Sequence, residues 1–125
     1  KLISGAYAVV LVTEEALYAF RDPHGVRPLV LGTLPDEAGW VVASETCALD
    51  IVGARYLRDV APGETLKISA NGLEAQQAVP AQKQSLCMFE FVYFARPDSI
   101  IDNISVHKAR MRMGERLAAT RDLAP

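Results

Sequence analysis

Cys87-Met88-Phe89-Glu90-Phe91-Val92-Tyr93-Phe94-Ala95-Arg96-Pro97-Asp98-Ser99 divides the sequence into two kinds of structure. Four of the nine aromatic side chains (four Phe, four Tyr and one Trp in all) fall between Phe89 and Phe94, and the run stops at the charged, proline-containing turn Arg96-Pro97-Asp98. Everything before it reads as short strands joined by tight turns, and everything after it as one amphipathic helix. The fold class is therefore α+β: an antiparallel β-meander, a linker and a helix, with this stretch at the seam, where sites tend to form. As a strand, Phe89, Phe91 and Tyr93 would share a face; as a helical turn, Phe89 and Tyr93 would still share one at i, i+4. Two readings stand side by side, the aromatic lining of a site and a plug of ordinary core.

Upstream, Ala6-Tyr7-Ala8-Val9-Val10-Leu11-Val12 and Ala16-Leu17-Tyr18-Ala19-Phe20 lie at hairpin distance about Thr13-Glu14-Glu15. The near-continuous apolarity of the first predicts cover on both faces, so the sheet should be one layer of a thicker sandwich. Asp22-Pro23-His24-Gly25 has Asp, Pro and Gly at the first, second and fourth positions of a type I turn. Strands are then expected over Leu29 to Leu34, Trp40 to Ala43, Leu57 to Val60, Thr65 to Ser69 and Leu73 to Val79. A short helix is expected over Glu45 to Gly53, with Ser44 as its N-cap. Pro62-Gly63 suits a type II turn, and Asn71-Gly72 predicts a type I′ hairpin. Gln76 to Gln84 turns polar and aperiodic, as a linker would. Beyond Pro97, the spacing of Ile104, Ala109, Met111, Met113 and Leu117 predicts an amphipathic helix from Val106 to about Ala119, its basic side solvated.

The chain has 125 residues, half of them hydrophobic, with 22% charged and a net charge of −2. That balance fits one ordinary soluble domain and supplies no broad basic field for nucleic acid or an anionic membrane. The longest apolar run is far below the roughly 20 residues of a membrane-spanning helix, so a cytoplasmic location is the default expectation. Cys47 and Cys87 have neither a Cys-x-x-Cys pairing nor a nearby His, and both read as buried structural thiols. His24 and His107 read as solvated. Arg21 and Arg27 flank one turn and could bind a carboxylate together, yet Asp22 between them offers an internal ion-pair partner, so Arg21, Asp22, Gly25 and Arg27 are expected to form a structural turn. The chain opens on Lys1 rather than Met, which suggests a piece of a longer protein.

Four segments carry a resemblance: Arg21-Asp22-Pro23-His24-Gly25-Val26-Arg27-Pro28-Leu29, Ala43-Ser44-Glu45, Arg58-Asp59-Val60-Ala61-Pro62-Gly63-Glu64 and Phe89 to Ser99. In that order they resemble the amidophosphoribosyltransferase (glutamine phosphoribosylpyrophosphate amidotransferase) family, the likeness running from Gly5 to about Leu117. The resemblance implies that residues 1–80 are the C-terminal portion of a class II glutaminase domain, an αββα sandwich of the N-terminal-nucleophile type. Residues 81–125 would be an interdomain segment and the first helix of a phosphoribosyltransferase domain. In that family, glutamine is hydrolysed and its ammonia passes internally to displace pyrophosphate from phosphoribosyl pyrophosphate, in the first step of purine (IMP) synthesis.

In the family the N-terminal Cys nucleophile, the Arg-Tyr-x-Thr segment and the Asn-Gly oxyanion pair precede the region matched here, and the acidic phosphoribosyl-pyrophosphate motif follows it; Asn71-Gly72 is a different pair, read above as a hairpin turn. The segment alone is therefore expected to be inert and to bind no cofactor. The resemblance places Phe89 and Tyr93 on the ammonia passage, where an apolar wall suits neutral ammonia. It makes Cys87 an iron–sulfur ligand in some members, and it implies Mg2+, glutamine, phosphoribosyl pyrophosphate and homo-oligomeric partners for the parent. The competing reading is a catalytically empty β-rich module that binds a protein through its sheet.

Overall fold

The computed structural model describes residues 3–120. Seven of its strands form two antiparallel sheets. The first contains β1 (Ala8–Val12), β2 (Ala16–Arg21), β6 (Glu64–Ser69) and β7 (Gly72–Gln77) in the order β1-β2-β6-β7; the second contains β3 (Val30–Thr33), β4 (Trp40–Ala43) and β5 (Arg55–Asp59) in the order β4-β3-β5. Helix α1 (Thr46–Ile51) joins β4 to β5, and helix α2 (Val106–Thr120) ends the described chain after a two-stranded ribbon, β8 (Ile100–Ile101) and β9 (Ile104–Ser105).

The α+β class holds, with a correction to its topology. The strands do not run as one meander: β2 pairs with β6 in the register Ala19↔Leu66, and the segments β2–β3 and β5–β6 cross between sheets. Burial drives this arrangement. Ala19 and Leu66 from one sheet meet Leu31 of the other, with Leu29 and Val60 that flank its strands, in a single core. The alternate residue of β3, Val30, faces Leu49 and Ala54 beneath α1. β3 is thus covered on both sides, and each fully buried leucine contributes about 1.5–3 kcal/mol. Gly32 sits where a Cβ would lie 3.1 Å from Leu49 and 2.9 Å from the Arg55 carbonyl, so the close packing of α1 on β3 requires glycine there.

The expectation that the first apolar run is covered on both faces is corrected. Among the described residues β1 is an edge strand, and Val10, Leu11 and Val12 are exposed. β1 has β2 along one side only, so its apolar side chains form a surface.

Local signals fare unevenly. Gly25 N donates to Asp22 O at 3.0 Å, closing the expected turn, and Glu64 N donates to Ala61 O at 3.0 Å across Pro62 and Gly63, with Gly63 at φ +75° as a type II turn needs. The Asn71-Gly72 expectation is displaced by one residue. Ser69 pairs with Gly72, so Ala70 and Asn71 form the loop, and of Asn71 and Gly72 only Gly72 has positive φ. The type I′ dihedrals occur instead at Asp102 (φ 45°) and Asn103 (φ 64°), between the paired Ile101 and Ile104. Ser44 is not the cap of α1; Glu45 holds that position and makes no side-chain cap bond. The polar linker begins only after β7, which takes in Gln76 and Gln77, and it is tied down: Gln82 N donates to Pro23 O at 2.8 Å and, just beyond it, Ser85 N to His24 O at 2.9 Å.

Candidate functional site

The Arg-Asp-Pro-x-Gly segment is a knot of charge turned onto backbone. Asp22 is fully buried; its Oδ1 accepts from His24 N at 2.9 Å and its Oδ2 from Val26 N at 2.9 Å. Arg21, 2% exposed, donates from Nε to Arg27 O at 2.7 Å, from Nη1 to Val60 O at 2.9 Å and from Nη2 to Gly25 O at 2.9 Å. Its ionic partner is Asp102 at 3.3 Å, on the β8–β9 turn, not Asp22. A Cβ on Gly25, at φ +59°, would press on both the Arg21 guanidinium and Pro62. Arg21 and Arg27 are not brought together around a ligand. Arg27 points the other way, toward Glu90 and Phe94.

Glu90 to Phe94 form a single π-helical turn, closed by Ala95 N donating to Glu90 O at 3.0 Å. Such turns recur at functional sites because the wider winding redirects side chains. Phe91 points inward and packs with Ala95, Ile101 and Val106 in a second small core. Phe89 and Tyr93 point outward, 63% and 77% exposed, with Phe94 between them at ring-centroid distances of 6.1 and 5.8 Å. The strand reading, which puts Phe91 on the same face, is therefore set aside. Within this segment Phe89 and Tyr93 are not core; among the described residues the buried aromatic of the stretch is Phe91.

Contacts on three sides seat this turn. On the sandwich side, Arg27 Nη1 lies 2.9 Å from Glu90 Oε1, without the alignment of a hydrogen bond, and its guanidinium sits 5.3 Å from the Phe94 ring centroid. Below, Glu45 Oε2 accepts from Arg96 N at 2.8 Å and Ser99 Oγ at 2.7 Å, and Thr46 Oγ1 accepts from Ile100 N at 2.9 Å, docking the start of α1 on the segment after the turn. On the helix side, Arg110 donates to Phe91 O and Ala95 O, each at 2.7 Å. The basic face of α2 is thus not wholly solvated. Arg110 had no sequence signal beyond its charge.

A cavity of about 340 Å³ beside the turn is lined by Arg27, Ser44, Glu45, Glu90 and Phe94. A larger, mainly apolar one, of about 560 Å³, opens beside Tyr7, Phe20 and His24, and its cationic lining residue Arg21 is already engaged. Glu90 is 4% exposed, and burial pushes its carboxyl above the usual range; Arg27 pulls it down and Glu45 pushes it up. For Glu64, burial also pushes upward, but the hydrogen bonds from Arg58 (2.7 and 2.8 Å) and the Ala61 amide, with the Arg58 charge, hold the carboxyl below its ordinary value.

These opposite shifts have opposite consequences for stability. A raised folded-state pKa means the native form binds the proton more tightly, so stability falls as pH rises from the unfolded value toward the folded one; a lowered pKa gives stability that is lost as pH falls through the folded value. Across the carboxylate titration range, the stability of Glu90→Gln relative to wild type should rise with increasing pH, and that of Glu64→Gln should fall. Melting temperatures measured against pH check both signs, and difference curves of the same sign would contradict the assignment.

Cys87 is half-buried, and Cys47 is buried on α1, its Sγ 3.8 Å from Glu45 Oε2. Two cysteines cannot furnish the four thiolates that an iron–sulfur cluster takes, and no group of three or more His, Cys, Asp or Glu among the described residues is arranged to hold a metal. No described helix is long and apolar enough to cross a membrane.

No family model matches the chain. Individual proteins do. An amidophosphoribosyltransferase of Mycobacterium bovis is 55% identical over 117 residues, covering 93% of this chain and 21% of that protein. One of Synechococcus elongatus is 51% identical over 116 residues, covering 91% of this chain and 24% of that protein. Among solved structures, glutamine phosphoribosylpyrophosphate amidotransferase of Bacillus subtilis, complexed with ADP and GMP, superposes with a TM-score of 0.89 at 46% identity, over 96% of this chain and 26% of that one. The likeness first seen in four motifs extends over nearly the whole chain in sequence and in fold. The chain is a homologue of one segment of the amidophosphoribosyltransferases, spanning about a quarter of the length of the relatives it matches.

Proposed function

We propose that this chain serves within a longer amidophosphoribosyltransferase as the part that joins the glutaminase half to the phosphoribosyltransferase half. Residues 1–80 belong to the glutaminase domain; residues 81–125 supply the interdomain segment and the first transferase helix. The parent hydrolyses glutamine to glutamate and ammonia, and the ammonia displaces pyrophosphate from phosphoribosyl pyrophosphate to give phosphoribosylamine, the first step of purine synthesis. The groups that attack glutamine and bind phosphoribosyl pyrophosphate with Mg2+ belong to the rest of the parent, a cytoplasmic homo-oligomer. If that parent carries an iron–sulfur cluster, Cys87 is one ligand and the others lie elsewhere in it.

The observation that carries this reading is the aromatic turn: Phe89, Tyr93 and Phe94 stand exposed in one cluster, on a turn whose backbone is held by Arg110 on one side and whose Glu90 and Phe94 side chains meet Arg27 on the other. A wall facing other parts of a longer protein has this form, and ammonia crosses an aromatic passage as the neutral molecule with little desolvation cost. The test is an assay of the purified parent with glutamine and phosphoribosyl pyrophosphate. Glutamate and pyrophosphate should appear in equal amounts, and ammonium salt should replace glutamine. Absence of pyrophosphate release with either nitrogen source would reject the reading.

A further inference from the structure

Arg110 lies on α2, well away in sequence from the aromatic turn, yet both of its long hydrogen-bonding arms end on that turn. Nε reaches Phe91 O and Nη2 reaches Ala95 O, both at 2.7 Å and partly buried. The last carbonyls of any helical turn lack partners within it. Here a planar guanidinium takes two of them at a spacing fixed by its own geometry, which an ammonium on a flexible stem does not reproduce. Phe91 O lies between Phe89 and Tyr93 along the chain, and Ala95 O directly follows Phe94. The opposite side of the turn is held by Arg27 through Glu90 and the Phe94 ring. The aromatic cluster is therefore suspended between two guanidinium groups, one anchored in the sandwich and one on the helix. The start of α2 is itself tied to the turn's exit, with Val106 N donating to Ser99 O at 3.1 Å and His107 N to Pro97 O at 3.0 Å.

We infer that Arg110 is a positioning residue that transmits the placement of α2 to the wall formed by Phe89 and Tyr93, so that the passage closes only when α2 is seated. The inference rests on the ammonia-passage reading above. Arg110 touches neither ammonia nor either substrate; it acts through the backbone of the turn.

The experiment uses the full-length parent with Arg110→Gln, Arg110→Lys and, as reference, Phe89→Ala. The readout is the ratio of glutamate to phosphoribosylamine formed from glutamine, with synthesis from added ammonium chloride measured alongside. Arg110→Gln, whose amide can still donate to one of the two carbonyls, should raise the ratio about 3- to 10-fold, the scale of one lost hydrogen bond of ordinary net strength. Arg110→Lys, with one donor point in place of a fork, should fall between Gln and wild type, and it carries the test where Arg110→Gln does not fold. A role in folding alone predicts glutamine-dependent and ammonia-dependent synthesis falling together at an unchanged ratio, and that result overturns the inference. If Phe89→Ala raises the ratio and the Arg110 variants do not, the positioning role alone fails. If none of the variants moves it, the passage reading fails with it. A raised ratio in Arg110→Gln alone keeps the positioning role and overturns the assignment of Phe89.

Discussion

Arg21→Ala should cost the fold about 3–5 kcal/mol, the scale of removing one partner from a buried charge network. Three acceptors lose their donor at once: Arg27 O, Val60 O and Gly25 O, which belong to the turn after β2 and to the end of β5. Asp102 loses its ionic partner as well, which loosens the tie between the β8–β9 turn and the sandwich. An unsatisfied buried polar group costs about 1–3 kcal/mol, so even partial rescue by water leaves a large deficit. Arg21→Lys should recover only a minor part, since one ammonium cannot reach carbonyls that a fork serves from three nitrogen atoms. Urea unfolding of the variants checks this. A loss below about 0.5 kcal/mol for Arg21→Ala would mean that the network is spectator to the fold, since that is the ordinary scale of a surface change.

This knot also shows what the sequence could and could not disclose. Asp22-Pro23-His24-Gly25 was legible as a turn because its signal is local: Pro fixes φ, Gly takes the left-handed position, and Asp can accept from the amides that follow. The partner of Arg21 was not legible, because Asp102 arrives from a hairpin far along the chain, and Asp22, the nearer acid, is consumed by backbone amides. The same division holds for the sheets. The strands β1 to β4 announced themselves by apolar and β-branched runs and the β8–β9 ribbon did not, while the choice of β6 rather than β3 as the neighbour of β2 is made by burial of Ala19 and Leu66 against Leu31, which no window of sequence contains.

Around the site, Phe89 and Tyr93 were legible as a pair sharing a face. The π winding was not, since it depends on where Phe91 finds a core and where Arg110 finds carbonyls. Asn71-Gly72 and Asp102-Asn103 make the point from the other direction. The stronger hairpin text sits on a turn whose two loop residues are Ala70 and Asn71, with Gly72 taking the positive φ, while the weaker text adopts the type I′ dihedrals. A propensity of this kind ranks local options, and strand register selects among them.

The second large effect falls on ammonia rather than on stability. Because Phe89 and Tyr93 are exposed on this segment, truncating either should change its stability by no more than about 0.5 kcal/mol, whereas Phe91→Ala, which empties the small core, should cost about 3–5 kcal/mol. Stability and transfer can therefore be separated within five residues of one turn. If Phe89 and Tyr93 form the wall of the passage, their truncation opens a leak: glutamine is still hydrolysed, and ammonia escapes before it reaches the phosphoribosyl group. The most direct measurement is the ratio of glutamate to phosphoribosylamine formed by the full-length parent carrying Phe89→Ala or Tyr93→Ala, with synthesis from added ammonia as the control for an intact transferase centre. The account predicts a ratio raised above that of the wild-type parent while ammonia-dependent synthesis persists; a wild-type ratio in well-folded variants would contradict it.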